Sequence, residues 1–262
     1  MAEERNIALV TGGAVRIGRA ISLAFADAGF SVVVHCRNHR KEADALCREI
    51  ARREPHAANR TARTPPRAWA VEGDLSDPAA CDAVFDAAWT AAGRIDALVN
   101  NAAIFARTPL ADASAADFES QWRVNALAPA LLARRFAQAL AAGTEKNGAP
   151  LFKRHAAIVN LLDQRLARPS GGCIPYVMAK AALEAFTRAA AVELAPLATV
   201  NAVAPGPVLP PPPEHGAREP AGQTLLPTRP TPEAIARAVV TLATSPSITG
   251  QTLFVDSGQH LL

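Results

Sequence analysis

Thr11-Gly12-Gly13-Ala14-Val15-Arg16-Ile17-Gly18 stands between a short apolar run, Ile7–Val10, and a segment with helical periodicity, Ile17–Ala28. A glycine-rich turn between a buried strand and a helix is typical of α/β domains that bring their backbone close to a phosphate group. The glycines allow a tight turn, and the free N–H groups at the start of the helix attract anions. We therefore predict a phosphate-binding turn for a dinucleotide, built from Gly12, Arg16, Ile17 and Gly18.

The rest of the chain repeats this alternation of apolar runs and helical patterns. Further strands are predicted over Ser31–His35, Ala68–Val71, Ala97–Asn100, Ala156–Leu162, Thr199–Val203 and Thr252–Val255. Apolar residues recur at helical spacing over Lys41–Arg53, Pro78–Ala92, Ala115–Ala142, Tyr176–Leu194 and Thr231–Ala243. Strands that alternate with helices indicate a parallel sheet covered by helices on both faces. We predict an α/β fold of the Rossmann type, with a doubly wound, mainly seven-stranded parallel sheet, as one domain over residues 1–262.

Composition excludes several classes of protein. Half of the 262 residues are hydrophobic, which suits one large core, and the formal net charge of +3 does not call for a nucleic-acid partner. The four cysteines form no C-x-x-C pair and no ligand spacing with histidine, so we predict no disulfide framework and no metal site. The N-terminus fits no secretory signal and no apolar run is long enough to cross a bilayer. We expect a cytoplasmic protein that binds neither membrane nor nucleic acid.

Two polar, proline-containing segments interrupt the alternation. Residues 54–67 are predicted to form a surface insertion. Residues 205–232 hold ten of the 21 prolines, follow a strand end, and are predicted to form a proline-rich loop at the substrate side. Residues 48–67 carry six arginines and two glutamates, a net of +4, so the remaining chain has 3 − 4 = −1. The basic balance of the protein therefore says little about its active site.

The end of the second strand indicates which dinucleotide is bound. An NAD site normally offers a carboxylate here to the ribose 2′-OH, whereas His35-Cys36-Arg37-Asn38-His39-Arg40 contains none. Arg37, assisted by its neighbours, is suited to the 2′-phosphate, so we predict NADP(H); the alternative is that these residues only begin a solvated helix. Further cofactor contacts are predicted at His35, Asn38, Asp74, Leu75, Asn101, Ala102 and Ala103.

A second group of residues predicts proton-transfer chemistry. Tyr176, the only tyrosine, precedes Lys180 by one helical turn, so the two side chains share a face. An ammonium beside a phenol should lower the tyrosine pKa and make an acid that protonates a substrate as hydride arrives. Asp163 follows a predicted strand, and Asn125 lies in the long helix after the fourth strand. We predict that these four residues meet in one catalytic site, although Asp163 could instead cap the strand end.

These motifs resemble those of the short-chain dehydrogenases/reductases over essentially the whole chain. The resemblance rests on Thr11-Gly12…Gly18, Asp74, Asn100-Asn101-Ala102, Asn125, Tyr176-x-x-x-Lys180 and Pro205-Gly206. It implies that Tyr176 is the general acid/base, that Lys180 holds the nicotinamide ribose and lowers the tyrosine pKa, and that Asn125 organises a proton-relaying water. It further implies cofactor contacts at Lys180, Pro205 and Gly206, and a homotetramer.

Four positions depart from the common pattern of that family: Arg16 in the turn, Ala103 in place of the usual glycine, Phe105, and Asp163 where most members have serine. Arg16, Phe105 and Asp163 resemble the pteridine reductase branch. The resemblance implies that Phe105 stacks on a pterin ring, that Arg16 approaches the pterin and the cofactor phosphates, and that Asp163 works with Tyr176 in proton delivery. Phe105 could instead be a core or lid aromatic, and Arg16 an exposed loop residue. Where the branch often has serine, Ala103 lacks the hydroxyl for one hydrogen bond to pterin or cofactor.

We therefore expect an NADPH-dependent reductase whose small-molecule substrate is a pterin or a folate, reduced at a C=N bond. Its substrate would contact Arg16, Phe105, Asp163 and Tyr176. Two alternatives stay open. One is a short-chain reductase of a ketone, quinone or acyl thioester, in which Asp163 is structural. The other is a nucleotide-binding protein without turnover, against which the intact catalytic set argues.

Overall fold

A computed structural model describes residues 5–53, 65–142, 155–210 and 223–262. Within them lies one seven-stranded sheet in the order β3-β2-β1-β4-β5-β6-β7, in which every pairing is parallel. The strands are β1 Ile7–Val10, β2 Ser31–Cys36, β3 Ala68–Glu72, β4 Ala97–Asn100, β5 Ala156–Leu161, β6 Ala198–Pro205 and β7 Thr252–Val255. The predicted Rossmann-type architecture is confirmed.

Helices cover both faces of this sheet. They are α1 Arg16–Asp27, α2 Arg40–Ala51, α3 Pro78–Ala92, α4 Ala115–Trp122, α5 Ala128–Ala142, α6 Ile174–Glu193 and α7 Pro232–Ala243. Buried side chains of α1, α2 and α7 pack in one core layer, and those of α3, α5 and α6 pack in the other. Because β1, β2 and β4 are buried at every position, they are mainly apolar runs without a polar–apolar alternation, as is typical of parallel sheets.

The helix predicted over Ala115–Ala142 is interrupted. A π-helical turn over Arg123–Leu127 separates α4 from α5, and it buries Val124, Asn125 and Ala126. The apolar spacing continues across this turn, so periodicity alone predicted a single helix. π-turns inside helices are frequent at functional sites, and this one contains a predicted catalytic residue.

Parts of the two irregular segments lie outside the described residues. For the predicted insertion these are residues 54–64, and for the proline-rich loop they are residues 211–222. The described part of the loop begins after β6 ends at Pro205. None of the helices in the described ranges has an apolar stretch long enough to span a bilayer.

Candidate active site

The turn between β1 and α1 is built for close approach of a phosphate. Gly12 has a φ of +59°, and a Cβ on Gly18 would lie 2.0 Å from the Gly12 carbonyl oxygen, so neither position suits a side chain. Val15, the residue before α1, makes no side-chain cap bond, which leaves the first N–H groups of the helix to an outside acceptor. The side-chain amide of Asn101 donates from its Nδ2 to the carbonyl oxygens of Thr11 and Gly12 at 2.8 and 3.1 Å, which holds the turn against the end of β4. The turn fits an anionic group such as a pyrophosphate.

A cleft of about 380 Å³ opens above this turn. Of the residues predicted to contact cofactor, those lining it are Gly12, Arg16, Ile17, Gly18, His35, Arg37, Asp74, Leu75, Asn101, Ala102 and Ala103. The lining also contains residues that the sequence did not single out: Ala14, Val15, Cys36, Ser76, Ile104 and Val124. Most of these are sequence neighbours of a predicted residue, so their position close to a strand end is the feature that could have identified them. Asn38, Lys180, Pro205 and Gly206 are not among the described residues that line this cleft.

His35 serves mainly to hold the turn. Its Nδ1 accepts from the Gly12 amide at 3.1 Å, and its Nε2 lies 3.1 Å from the Gly73 carbonyl oxygen, to which it donates in that tautomer. Burial lowers the pKa of His35 and favours the neutral ring that these two bonds require. Both ring nitrogens are thus engaged by the protein backbone.

Arg37 stands at the mouth of the cleft at the end of β2. Its side chain is about half-exposed, and its Nη1 lies 4.0 Å from Asp74 Oδ1. The Ser76 amide donates to the Asp74 carboxylate and lowers its pKa, with a smaller contribution from Arg37. A guanidinium in this position suits a phosphate on the adenosine ribose.

Arg16 joins the turn to the proline-rich loop. It is the first residue of α1 and has a φ of +53°, in the left-handed region that usually favours glycine. Its Nη2 donates to the Pro210 carbonyl oxygen at 2.8 Å. The exposed guanidinium therefore lies over the cleft while one of its donors is used by the loop.

The predicted proton donor and the aspartate are in direct contact. Tyr176 donates its phenolic hydrogen to Asp163 Oδ2 at 2.9 Å. Asp163 also accepts from the Arg165 backbone amide at 2.8 Å and pairs with the Arg165 guanidinium at 3.0 Å. The same carboxylate thus accepts a hydrogen bond from Tyr176 and caps the turn after β5.

The pKa of Tyr176 moves in the direction opposite to our expectation. Burial, and then the charge of Asp163, raise it well above that of a free phenol. Lys180 does not reach the hydroxyl: its Nζ donates to the Leu161 carbonyl oxygen at 2.7 Å and lies 5.9 Å from the centre of the tyrosine ring. Burial lowers the pKa of Lys180 to about 8. The pKa of Tyr176 is thus raised rather than lowered, and Lys180 is not among the main causes of the shift.

Asn125 is bonded to the segment that follows β4. Its Oδ1 accepts from the Ile104 amide at 3.1 Å, and its Nδ2 donates to the Ile104 carbonyl and to Gln121 Oε1 at 2.9 and 2.8 Å. These bonds hold the segment that follows β4 in place. The next residue, Phe105, stands edge-on to Tyr176, with ring centres 4.9 Å apart and planes at 88°. Asp163, Tyr176 and Phe105 are therefore in mutual contact, and Asn125 holds Ile104, the residue before Phe105, which itself lines the cleft. Asp163, Tyr176, Phe105 and Asn125 are not among the described residues that line the cleft.

Pro205 and Gly206 lie at the end of β6. The Gly206 amide donates to the Val255 carbonyl at 3.0 Å, and a Cβ on Gly206 would lie 2.8 Å from the Asp256 backbone. Close packing of β6 against β7 thus accounts for the glycine.

The fold and this site define an oxidoreductase of the dinucleotide-binding α/β class. A family model described as enoyl-(acyl carrier protein) reductase matches residues 13–260. The chain belongs to this family, a branch of the short-chain dehydrogenases/reductases.

Individual relatives differ in the substrates that their names state. Pteridine reductase 1 of Leishmania tarentolae is 37% identical, over 76% of this chain and 75% of the relative. A 3-oxoacyl-(acyl-carrier-protein) reductase of Synechocystis sp. is 31% identical, over 97% and 96%. The crystal structure of FolM, alternative dihydrofolate reductase 1, from Brucella suis in complex with NADP superposes with a TM-score of 0.80 at 31% identity, covering 98% of this chain and 96% of that chain.

Proposed function

We propose that this protein is an NADPH-dependent reductase of a pteridine-type C=N bond, converting a dihydropterin or dihydrofolate into its tetrahydro form. The observation that carries the proposal is the bond between Tyr176 and Asp163, with Phe105 edge-on to the same tyrosine. This arrangement groups an acid, a carboxylate and a flat apolar surface, and Phe105 directly follows Ile104, which lines the cleft that fits a dinucleotide. Similarity to a pteridine reductase and to an NADP-bound dihydrofolate reductase supports it.

The cofactor, when bound, supplies hydride to the carbon of the C=N bond. The turn at Gly12 and the start of α1 would hold its pyrophosphate, and Arg37 would meet the 2′-phosphate. Lys180, buried beside the tyrosine ring, would meet the nicotinamide ribose. These residues fix the reacting partners in position, which is where much of the rate gain in such reactions arises.

Tyr176 provides the proton for the substrate nitrogen. Its raised pKa keeps the phenol protonated at neutral pH, so the hydrogen is present when the nitrogen gains its electron pair. The carbon gains hydride, the nitrogen gains the phenolic proton, and bulk solvent later returns a proton to the phenolate. Asp163 orients the hydroxyl and has acceptor capacity left for the amino group of a 2-aminopyrimidine ring.

The runner-up is a reductase of a ketone or an acyl thioester. The specific observation in its favour is similarity to a 3-oxoacyl reductase over nearly the whole chain. Under this alternative Asp163 would only cap the turn after β5, where it accepts the Arg165 amide.

Steady-state NADPH oxidation separates the two functions. We expect turnover of dihydrobiopterin or dihydrofolate and weak turnover of a panel of ketones. Asp163→Ser should lower the rate of pterin reduction at least tenfold, because removal of an active-site hydrogen-bond partner typically costs about one to three orders of magnitude in rate. Inert pterins, together with ketones reduced equally well by wild type and Asp163→Ser, would overturn the proposal. Failure to oxidise NADPH with any substrate would favour a protein without turnover.

We also propose that the protein assembles as a homotetramer through α6 and its neighbour α4. Exposed apolar side chains on these packed helices support this proposal: Trp122, Met178 and Val192 are 47%, 56% and 81% exposed.

A further inference from the structure

We propose that Arg165 is a positioning residue of this active site, which holds the Asp163 carboxylate and the Phe105 ring in place against Tyr176. This inference rests on the proposed function. Neither the motifs nor the resemblance singled out Arg165. The structure shows a closed ring of four contacts: Tyr176 to Asp163, Asp163 to Arg165, Arg165 to Phe105, and Phe105 to Tyr176. Arg165 is the member that touches both groups that touch the tyrosine.

The guanidinium of Arg165 contacts Asp163, Ser170 and Phe105 in different directions. Its Nη1 donates to Asp163 Oδ2 at 3.0 Å, and its Nε donates to Ser170 Oγ at 3.2 Å. Its central carbon lies 5.2 Å from the centre of the Phe105 ring, within the range of a cation–π contact. A planar group with a fixed fork of donors can make these contacts together, whereas the single ammonium of lysine cannot.

The pair between Arg165 and Asp163 is shielded from water. Their side chains are 16% and 14% exposed, so the interaction is screened less than a surface ion pair. If the Arg165 guanidinium were removed, the Asp163 carboxylate would still accept from the Tyr176 hydroxyl and from the backbone amide of residue 165. It would lose its charged partner and could turn toward solvent. The charge of Arg165 also opposes the rise that burial and Asp163 cause in the pKa of Tyr176.

Other charged groups surround this ring of contacts. Arg107 lies 5.8 Å from the centre of the Phe105 ring, and Lys180 lies 5.9 Å from that of Tyr176. The Lys180 ammonium is engaged by the Leu161 carbonyl oxygen, whereas the Arg165 guanidinium bonds the Asp163 carboxylate directly. Arg165 contacts both Phe105 and Asp163, so its removal would loosen both groups that touch Tyr176. Its loss should therefore lower kcat more than it raises KM for cofactor.

The test compares Arg165→Met and Arg165→Lys with the control Arg168→Met on the same segment. The Arg168 side chain is exposed, and within the described residues it donates only to the Gln259 carbonyl oxygen, at 3.5 Å. We expect Arg165→Met to lower kcat for dihydropterin reduction about tenfold or more, because partners of a reacting group typically contribute one to two orders of magnitude. Arg165→Lys should recover part of this loss, and Arg168→Met should stay within about twofold of wild type. NADPH affinity and the thermal unfolding midpoint should not change in any variant.

A double-mutant cycle with Asp163→Asn isolates the route of action. If Arg165 acts through Asp163, Arg165→Met should cost less than about twofold in the Asp163→Asn background. Equal losses in Arg165→Met and Arg168→Met, or full additivity with Asp163→Asn, would overturn the inference. A loss that follows lowered stability or weaker NADPH binding would do the same.

The two proposals can fail separately. A wild type that reduces no pterin contradicts the proposed function, and the cycle is then run on whichever carbonyl substrate the wild type reduces. If none is reduced, the titration of Tyr176 decides: Arg165→Met should raise the pH midpoint of tyrosinate formation, and an unchanged midpoint would overturn the role of Arg165.

Discussion

Tyr176 is the only tyrosine of the chain, so its ionisation can be followed without interference from another phenol. Burial and the Asp163 carboxylate raise its pKa, and the second of these contributions can be removed. Asp163→Asn abolishes the negative charge next to the hydroxyl, so the phenolate becomes less unfavourable and the pKa of Tyr176 should fall. Titration of tyrosinate absorbance in the protein without cofactor should show a midpoint at lower pH in the variant than in the wild type.

Tyr176→Phe is the control for this titration and should show no transition below the pH of global unfolding. An equal or higher midpoint in Asp163→Asn would mean that burial alone sets the ionisation of Tyr176. The proposed orienting role of Asp163 would then lose its electrostatic support.

Single residues differed in how well the sequence predicted them. Tyr176 and Asp163 carry recognisable spacing, and the structure places them within hydrogen-bond distance. Arg165 has no such spacing, since its contact with Asp163 depends on the conformation of the short 3₁₀ turn after β5. The direction of the tyrosine pKa was also missed, because the spacing of Tyr176 and Lys180 reveals neither burial nor the bond of Lys180 to the Leu161 carbonyl.

At the scale of elements, the turn between β1 and α1 depends on the absence of a side chain at Gly18. A Cβ there would lie 2.0 Å from the Gly12 carbonyl oxygen, so the turn must move to accommodate it. We expect Gly18→Ala to lower the free energy of unfolding by about 2 kcal/mol, as overpacking of a tight site does. It should also weaken NADPH binding, because the displaced carbonyl belongs to the phosphate turn. Urea denaturation and fluorescence titration with NADPH measure the two effects.

Gly171→Ala is a matched control, because a Cβ on Gly171 meets no atom within 4 Å. It should stay within about 0.5 kcal/mol of the wild type, as surface substitutions usually do. If Gly18→Ala behaved like Gly171→Ala, the turn would be more adaptable than its geometry indicates.

The regular elements were predicted more completely than their interruptions. Short apolar runs, most of them rich in Val and Ile, predicted all seven strands, since strands covered on both faces need apolar residues throughout and the edge strands β3 and β7 are still mainly apolar. The π-turn at Arg123–Leu127 was missed because helical and π-helical turns share the same apolar spacing over so short a stretch. That turn sets the position of Asn125, so the missed element bears directly on the site.

At the scale of the whole molecule, the parallel sheet explains why distant residues form one site. All seven strands point the same way, so their carboxyl ends meet along one edge. The turn after β1, Arg37 after β2, Asn101 after β4 and Asp163 after β5 all lie at that edge. The predicted cofactor residues thus gather near the centre of the sheet, and the predicted catalytic residue Asp163 lies beside them where β5 ends.

The proposed tetramer is a property of the whole molecule and has a direct test. Val192 is 81% exposed on α6, and a second subunit that covers it would remove this apolar surface from water. Light scattering after size exclusion should give about four times the 27.4 kDa of one chain. Val192→Glu should shift the protein to a smaller assembly, because a buried unpaired carboxylate is costly.

Ala45→Glu is the matched control, since it adds the same charge at an exposed position of α2, on the opposite face of the sheet. It should leave the assembly unchanged. A wild-type mass of one chain, or an unchanged assembly in Val192→Glu, would contradict an interface built on α6. Because Val192 lies at the far end of α6 from Tyr176, a smaller assembly that still reduces substrate would also show that each subunit carries a complete site.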